Sequence, residues 1–443
     1  MASTELTRTP SSTTNRKTFT ISYWCKRSSI SSNYPRICAY DYADTDRFEH
    51  FFNNVDQMYI EHLSNNNQDV HLLTSRRFRD TSAWYHIVVA FDTTQATASN
   101  RVKLYINGVQ ETNFTGTVAY PSQDSNMIVN YAGGSVFYIG ETGYQSGGQN
   151  FDGLMSHFHF IDGTQYAASD FGETDSTTGE WKIKTSPSVT YGTNGFFILK
   201  DGNSVTDQSG NSNNFTVSGG TLTKTEDCPS NVFATLNPLD NYYASSTFSY
   251  GNTKVVTDSS KYAATLTTLG ASSGKFYAEF KLTDAGRGFP QVGIKGKHPT
   301  SNADGIGSGA DSIAYYGYNG KKVIGGVETT YGDTYTTNDI IGVAMDLDNN
   351  RLFFSKNGTW QNSGDPTSST GAITIPTSST GFYFMGVDDE DNAGTNDWQV
   401  NFGNGYFASN AVSSAGTNAS GNGIFEYDVP TGYTALSTKG LNT

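Results

Sequence analysis

The sequence predicts an all-β protein built from two antiparallel β-sandwiches. Three observations carry this reading. The chain holds 27 Tyr, 27 Phe and 47 Gly, with charged residues at only 16%. That mixture suits short strands joined by many tight turns. Apolar residues alternate with period two in one stretch after another, and no long stretch repeats them at i, i+3, i+4 and i+7, so helix should be scarce. Finally, 443 residues allow two or three domains. The alternation falls into two blocks, residues 16–237 and 238–443, behind a polar N-terminal arm, residues 1–15.

In the first block, Thr18 to Trp24 alternates polar and apolar residues, and Gln57-Met58-Tyr59-Ile60 is a second strand. Ala83 to Phe91 is strand-like throughout. Asp92 to Asn100 reads as a polar loop. Arg101 to Ile106 then alternates cleanly, and Asn107-Gly108 turns the chain back, because both residues tolerate positive φ. Val136 to Gly140 and Phe151 to Phe160 supply two more strands. From Gly163 to Pro238 the pattern loosens, with one clear strand at Asn194 to Leu199 and an Asx-rich turn at Asp207 to Asn214.

The segments FTISYW, AWYHIVVAFD, VKLYINGV, FYIG and FDGLMSHFHF resemble, in order and spacing, the laminin-G-like, concanavalin-type jelly roll from about Thr18 to Asp162. The resemblance implies two packed antiparallel sheets with ligands at loop edges or on the concave face. DQSGNSNN resembles the turn that opens such a domain, yet here it follows the domain. The stretch from Gly163 onward is therefore expected to supply a missing sheet edge, closing the jelly roll late. FGETD, YGTNGFF, DQSGNSNN and FATLNPLD together resemble a segment of marine bacteriophage virion proteins.

The second block is organised around Thr336 to Trp360. Ile341, Val343 and Met345 alternate with Gly342, Ala344 and Asp346, the period of a half-buried strand. Asp348-Asn349-Asn350 turns the chain, Leu352-Phe353-Phe354 returns, and Asn357-Gly358 is a second tight turn. GKFYAEF, VGI, SIAYYGYNGKK, DIIGVAMDLDNNRLFFSKNGTW and WQVNFG resemble a SPRY domain from about Ser260 to Phe407. That resemblance implies a second sandwich that binds through its loops. The tail from Phe425 to Leu436 should pack back on it.

The net charge of -14 argues against nucleic acid as a partner, since a phosphate backbone needs basic patches. MASTELTRTPSS has no apolar run of signal-peptide length, and no stretch approaches the roughly 20 apolar residues of a membrane helix. Cys25, Cys38 and Cys228 form neither a disulfide framework nor a zinc pattern and read as small buried hydrophobes.

Few residues invite chemistry. His157 and His159, two apart on a strand, would share a face and suit zinc, but a structural role is favoured for them and for His86. Asp388, Asp389, Glu390 and Asp391 are the best candidate metal ligands, for calcium, since clustered hard oxygens suit that ion. Asp207 to Asn213 is a lesser candidate. Tyr315, Tyr316 and Tyr318 are the candidate ligand-binding residues, as rings that stack on sugars, although alternating tyrosines also fill cores. No Glu-x-Asp-x-x-Glu stretch, nucleophile elbow or phosphate loop is present, so an enzyme is not expected.

These observations lead to the expectation of a bacteriophage virion protein, a head fibre, decoration protein or tail appendage on the virion surface. It would bind a host glycan or protein through lectin-like and SPRY-like modules. Its other partners would be virion proteins and copies of itself, most simply a trimer joined through the first sandwich and its arm. The alternatives are a secreted or cell-surface glycan-binding adhesin of a marine microbe and a glycan-degrading enzyme.

Overall fold

The structure, a computed structural model, describes residues 4–30, 33–143, 149–200, 204–240, 245–259, 262–286, 289–301, 303–390 and 394–442. Strand accounts for 41% and helix for 4%. Among the described residues the two α-helices are single turns, Ala98–Arg101 and Thr438–Leu441. The first of them closes the loop expected to be irregular between Asp92 and Asn100. The chain divides into two compact units, Met1–Lys224 and Thr225–Thr443.

The first unit begins with β1 (Glu5–Arg8), β2 (Thr18–Arg27), β3 (Arg36–Ala43), β4 (Asp46–Phe52) and β5 (Met58–Ser64). It continues with β6 (Asn67–Leu73), β7 (Trp84–Asp92), β8 (Val102–Ile106), β9 (Val109–Glu111) and β10 (Val136–Ile139). It ends with β11 (Gly153–Asp162), β12 (Gly172–Thr174), β13 (Trp181–Ile183), β14 (Phe196–Ile198) and β15 (Thr216–Gly219). Two sheets pack face to face, in the orders β15-β1-β10-β3-β4-β5-β6 and β14-β11-β2-β7-β8-β9. Alternation fills the space between them: Phe19, Ile21, Tyr23 and Cys25 of β2 meet Tyr40, Phe48 and Phe137 of the opposite sheet. Each such side chain, fully buried, contributes about 1.5–3 kcal/mol. The Asn107-Gly108 turn has φ of 47° and 82°, positive at both residues as a two-residue hairpin requires.

The polar N-terminal segment is not an arm. Glu5–Arg8 is an internal strand, antiparallel to β10 on one side and to β15 on the other. Leu6 is buried, and the Thr14 amide donates to the Asn130 carbonyl at 3.2 Å. Ser and Thr hid a four-residue strand with only one aliphatic side chain. The late segment behaves as expected, since β14 and β15 complete one edge of each sheet. Residues 163–195 do something the sequence reading did not contain. They lie across the outer face of the six-stranded sheet, where Phe171, Tyr166, Trp181 and Tyr191 cover Val88 and Ile161.

The second unit opens with β16 (Thr247–Ser249), β17 (Lys254–Val256), β18 (Thr265–Leu266), β19 (Lys275–Asp284) and β20 (Pro290–Lys295). Then come β21 (Ser312–Tyr316), β22 (Lys321–Ile324), β23 (Val327–Thr330), β24 (Ile340–Asp346), β25 (Arg351–Lys356) and β26 (Thr359–Trp360). The last are β27 (Ile373–Thr374), β28 (Phe384–Asp389), β29 (Asp397–Asn401), β30 (Tyr406–Phe407), β31 (Asn410–Ala411) and β32 (Thr434–Ala435). One sheet runs β16-β17-β29-β19-β24-β25-β26, with β27 on β25 and β32 on β19; the other runs β18-β28-β20-β21-β22-β23. Phe280, Val292, Tyr315, Val343, Phe354 and Trp398 fill the space between.

β24 and β25 pair from Ile341↔Lys356 to Asp346↔Arg351. All seven residues of β24 are buried, where the alternation predicts a half-buried strand. The reason is a cover of Phe233, Phe425, Val429 and Tyr433, which pack on Ala344 and Phe353 of the outer face. The tail thus packs back as expected, and β32 pairs parallel with β19. Residues 225–237, placed with the first domain from the sequence, carry Phe233 into this cover and Ala234 and Leu236 into the second core.

Candidate functional site

The candidate ligand residues and the candidate metal residues meet at one end of the second sandwich. Gln291 of β20 pairs with Tyr316 of β21 and with Asp388 of β28, so three strands bring those side chains side by side. The tyrosine run is divided by its own alternation. Tyr315 points between the sheets, 0% exposed, against Tyr331, Tyr335 and Phe354, and its hydroxyl donates to the Asp333 carbonyl. It is a core residue and not a ligand platform. Tyr316 points the other way but is covered, and its hydroxyl donates to Glu390 Oε2 at 2.7 Å. Tyr318, in the turn after β21, is 47% exposed and meets Phe289 edge to face with centroids 4.5 Å apart.

The acidic run pins loops to this end. Asp388 is completely buried, and its carboxylate accepts from the Ile306 and Asp389 amides, each at 2.7 Å. Burial, helped by the charges of Asp389 and Glu390, pushes it up to about 8. Asp389 accepts from the Phe289 amide at 3.1 Å and the Thr257 hydroxyl at 3.2 Å. Glu390 accepts from the Tyr262 hydroxyl and the Gln291 amide, both at 3.1 Å, besides Tyr316. Asp391 lies outside the described residues. A calcium ion would have to displace these donors from the described carboxylates. Among the described residues no three His, Cys, Asp or Glu side chains are grouped to hold a metal.

The other candidates are woven into the first sandwich. A β-bulge separates Ser156 from His159, and His157 sits in it with φ 48°. His157 Nδ1 lies 2.8 Å from the Ser156 hydroxyl, while His159 stacks on Phe197 at 3.9 Å and bonds the Tyr191 hydroxyl at 2.9 Å. The Trp181 indole N–H donates to His86 Nδ1 at 3.0 Å, so His86 Nε2 carries the proton toward the Ser22 hydroxyl, 2.9 Å away. Asp207 accepts at both oxygens, from the Phe197, Ser209 and Asn213 amides and the Ser209 hydroxyl, at 2.8–2.9 Å. That knot fixes its neighbour Asn213, whose side-chain oxygen accepts from Arg8. The Asx-rich turn is therefore tied to the first strand of this domain. The cysteines are free, with Cys25 and Cys38 buried as expected and Cys228 partly exposed.

Two arrangements escaped the sequence reading because both are made across strands. Glu49 and Glu61 stand opposite each other on β4 and β5. Arg36 and Arg47 hold Glu49 at 2.9 and 3.0 Å, and Arg47 reaches Glu61 at 3.6 Å. These carboxylates are paired with cations, unlike the free acid and base of a glycosidase. On the outer face of β15, β1 and β10, Thr7, Tyr138, Asn211, Asn213, Thr216 and Ser218 help line an open groove of about 840 Å³. Hydroxyls and amides dominate its wall, with Glu5, Arg8 and Val136 beside them. Only the register of β1 between β10 and β15 reveals it.

Comparison with known proteins gives the same two-part picture. Residues 2–169 match the model of the concanavalin A-like lectin/glucanases superfamily, of laminin-G type, and residues 275–372 match the SPRY domain. Ran-binding protein 9 of Danio rerio is 34% identical over 90 residues, 20% of this chain and 15% of that protein. The Ran-binding proteins 9/10 homolog of Drosophila melanogaster is 33% identical over 90 residues, 9% of its length. Among solved structures, the SPRY domain of human HERC1 shares 17% identity over 37% of this chain and 96% of its own, with a TM-score of 0.29. A heptameric SAP-like pentraxin from Limulus polyphemus shares 15% identity over 37% of this chain and 71% of its own, with a TM-score of 0.26. The chain carries a laminin-G-like, concanavalin-type domain and a SPRY domain, two kinds of binding module.

Proposed function

We propose that this chain is a non-enzymatic adhesion protein of a bacteriophage virion. In this reading it stands on the particle as a head fibre, decoration protein or tail appendage, and its two sandwiches present binding surfaces to the host. The observation that carries the binding part is the Phe289–Tyr318 pair. Two large aromatic side chains, 36% and 47% exposed, are held in fixed mutual geometry at the loop end of a sandwich with a complete core of its own. Aromatic anchors of this kind dominate interface energetics. The hydroxyl- and amide-lined groove of the first sandwich adds a surface suited to a glycan. The virion part rests on the resemblance of FGETD, YGTNGFF, DQSGNSNN and FATLNPLD to phage virion segments. Partners are then other virion proteins, a host-surface glycan or protein, and further copies of the chain in a trimer, where many weak contacts act together.

The test is binding of the labelled full chain to candidate host cells and to panels of surface glycans and proteins. Wild type should bind a surface ligand, and the double variant Phe289→Ala, Tyr318→Ala should lose at least tenfold in affinity while melting normally. Antibody labelling of purified particles in the electron microscope should place the chain on their surface. Undiminished binding by the double variant would remove the SPRY end from the mechanism, and unlabelled particles would remove the virion.

A further inference from the structure

The docking face just proposed has a chemical polarity of its own. The π-faces of Phe289 and Tyr318 attract cations, and Tyr316 adds a third ring 5.8 Å from Tyr318. A carboxylate stands at each end of this group, and the two differ. Glu328, 3.4 Å from the Tyr318 hydroxyl, is already paired with Lys321 at 2.9 Å. Glu390, at the Tyr316 hydroxyl, accepts among the described residues from two phenols and an amide, all neutral donors. Gln291 is 0% exposed and gives its side-chain N–H to Glu390, yet its own carbonyl oxygen has no hydrogen-bond partner among the described residues. A buried carbonyl without a donor is uncommon, and this one is sealed from any docking side chain, so the part of Gln291 in the site is to hold Glu390 in place through the amide N–H.

We propose that Phe289, Tyr318 and Glu390 receive an arginine side chain from a basic segment of a partner protein, an assignment that rests on the docking face proposed above. A guanidinium stacks on aromatic rings while one of its N–H groups donates to the acceptor site of Glu390 that Tyr262, Gln291 and Tyr316 leave open, a combination that a compact ammonium achieves less well. The chain's net charge of -14 favours the approach of a basic segment.

The test uses the full chain and fluorescein-labelled Gly-Arg-Gly-Arg-Gly, read by anisotropy at physiological salt. The same peptide with citrulline in place of arginine keeps the shape and removes the charge. The arginine peptide should bind at least tenfold more tightly than the citrulline peptide. Tyr318→Ala, Phe289→Ala and Glu390→Gln should each weaken it at least fivefold, with melting curves confirming the fold. Asp365→Asn, at an exposed carboxylate in another turn, should leave it unchanged. Equal binding of the two peptides, or an equal loss from Asp365→Asn, would overturn the proposal, the latter by showing diffuse charge attraction. Self-association that needs Tyr318, without peptide binding, would give the face to a second copy and overturn it too. A neutral ligand from the panels that binds through Phe289 and Tyr318 would keep the docking face and reject the arginine. Loss of both would reject the face itself.

Discussion

Each sandwich wears an extra layer on the outside of one sheet, and the two layers are anchored by opposite chemistry. In the first, residues 163–195 cover the six-stranded sheet, and the Trp181 indole docks on the neutral imidazole of His86. In the second, the C-terminal run covers the nine-stranded sheet and docks on a carboxylate. Glu279 of β19 is completely buried, and it accepts the consecutive amides of Glu426 and Tyr427 at 2.8 Å each, with Tyr277 and Asn401 at 3.2 Å. A sheet with both faces covered can bury every residue of a strand, as β24 does. What lies outside the core must then satisfy its polar groups there, and the choice of anchor sets how each layer responds to pH.

The comparison breaks first at the chain ends. The N-terminal residues form an internal strand of a sheet, whereas the C-terminal run mostly covers one and adds only the two-residue β32 to it. Deleting residues 1–15 takes β1 from between β10 and β15, exposes the edge of β10 and removes Leu6 and Arg8 from the core end. The loss should be about 5 kcal/mol or more, enough to unfold a marginal domain. Peptides of the first sandwich should then exchange amide hydrogens as an unfolded chain while those of the second stay protected. Native-like protection in the truncated first sandwich would show that β1 is dispensable.

A smaller effect should separate the two layers by pH. Burial holds His50 and His86 down to about 3 and His159 well below its ordinary value. A depressed histidine gives stability that is present above its unfolded value near 6.5 and is lost as pH falls toward the folded one. At pH 5 each such imidazole forgoes a proton the unfolded chain takes up, at a cost of about 2 kcal/mol. Asp41, pushed up to about 6 by burial, and Glu61 and Asp152, also raised by burial, offset part of this. In the second sandwich burial pushes Glu279 up to about 7, against its four hydrogen bonds, and Asp388 to about 8. Raised carboxylates give stability that is full below the unfolded value near 4 and is lost as pH rises through 7 to 8. Hydrogen exchange read separately for each sandwich should show the first weakening from pH 7 to 5 and the second strengthening. Glu279→Gln should flatten the second response by about 3 kcal/mol between pH 4.5 and 7. Parallel pH responses in the two sandwiches would contradict these anchors.

This asymmetry also explains what was legible in the sequence. Strands that face a core on one side announced themselves, as in Phe19, Ile21, Tyr23 and in Ile341, Val343, Met345. The tight turns were equally plain, since Asn357 and Gly358 both need positive φ and have 48° and 81°. The outer layers were not, because Trp181 and Glu279 acquire partners far away in sequence, and a lone Trp or Glu carries no period. Trp84 shows the same limit. It is buried, 7% exposed, but it alternates with Tyr85 and Ile87 and so lies on the outward face of β7. At the candidate site the aromatic and acidic runs were each visible, and their meeting through Gln291 was not.

The smallest expected change is at that meeting point, and it separates binding from architecture. Phe289 and Tyr318 touch each other and remain exposed, while Tyr315, three residues before Tyr318, is sealed between the sheets. An exposed edge-to-face pair contributes about 0.5–1.5 kcal/mol beyond its buried area, and surface substitutions usually stay within about 0.5 kcal/mol. The double variant Phe289→Ala, Tyr318→Ala should therefore cost the second sandwich no more than about 2 kcal/mol in denaturant unfolding, with an unchanged slope. A loss of several kcal/mol would mean that these rings hold the loop end together, and reduced binding by the variant would then reflect a damaged scaffold. A loss near zero leaves the pair with no structural reason to be aromatic, so its chemistry must be read from what binds it.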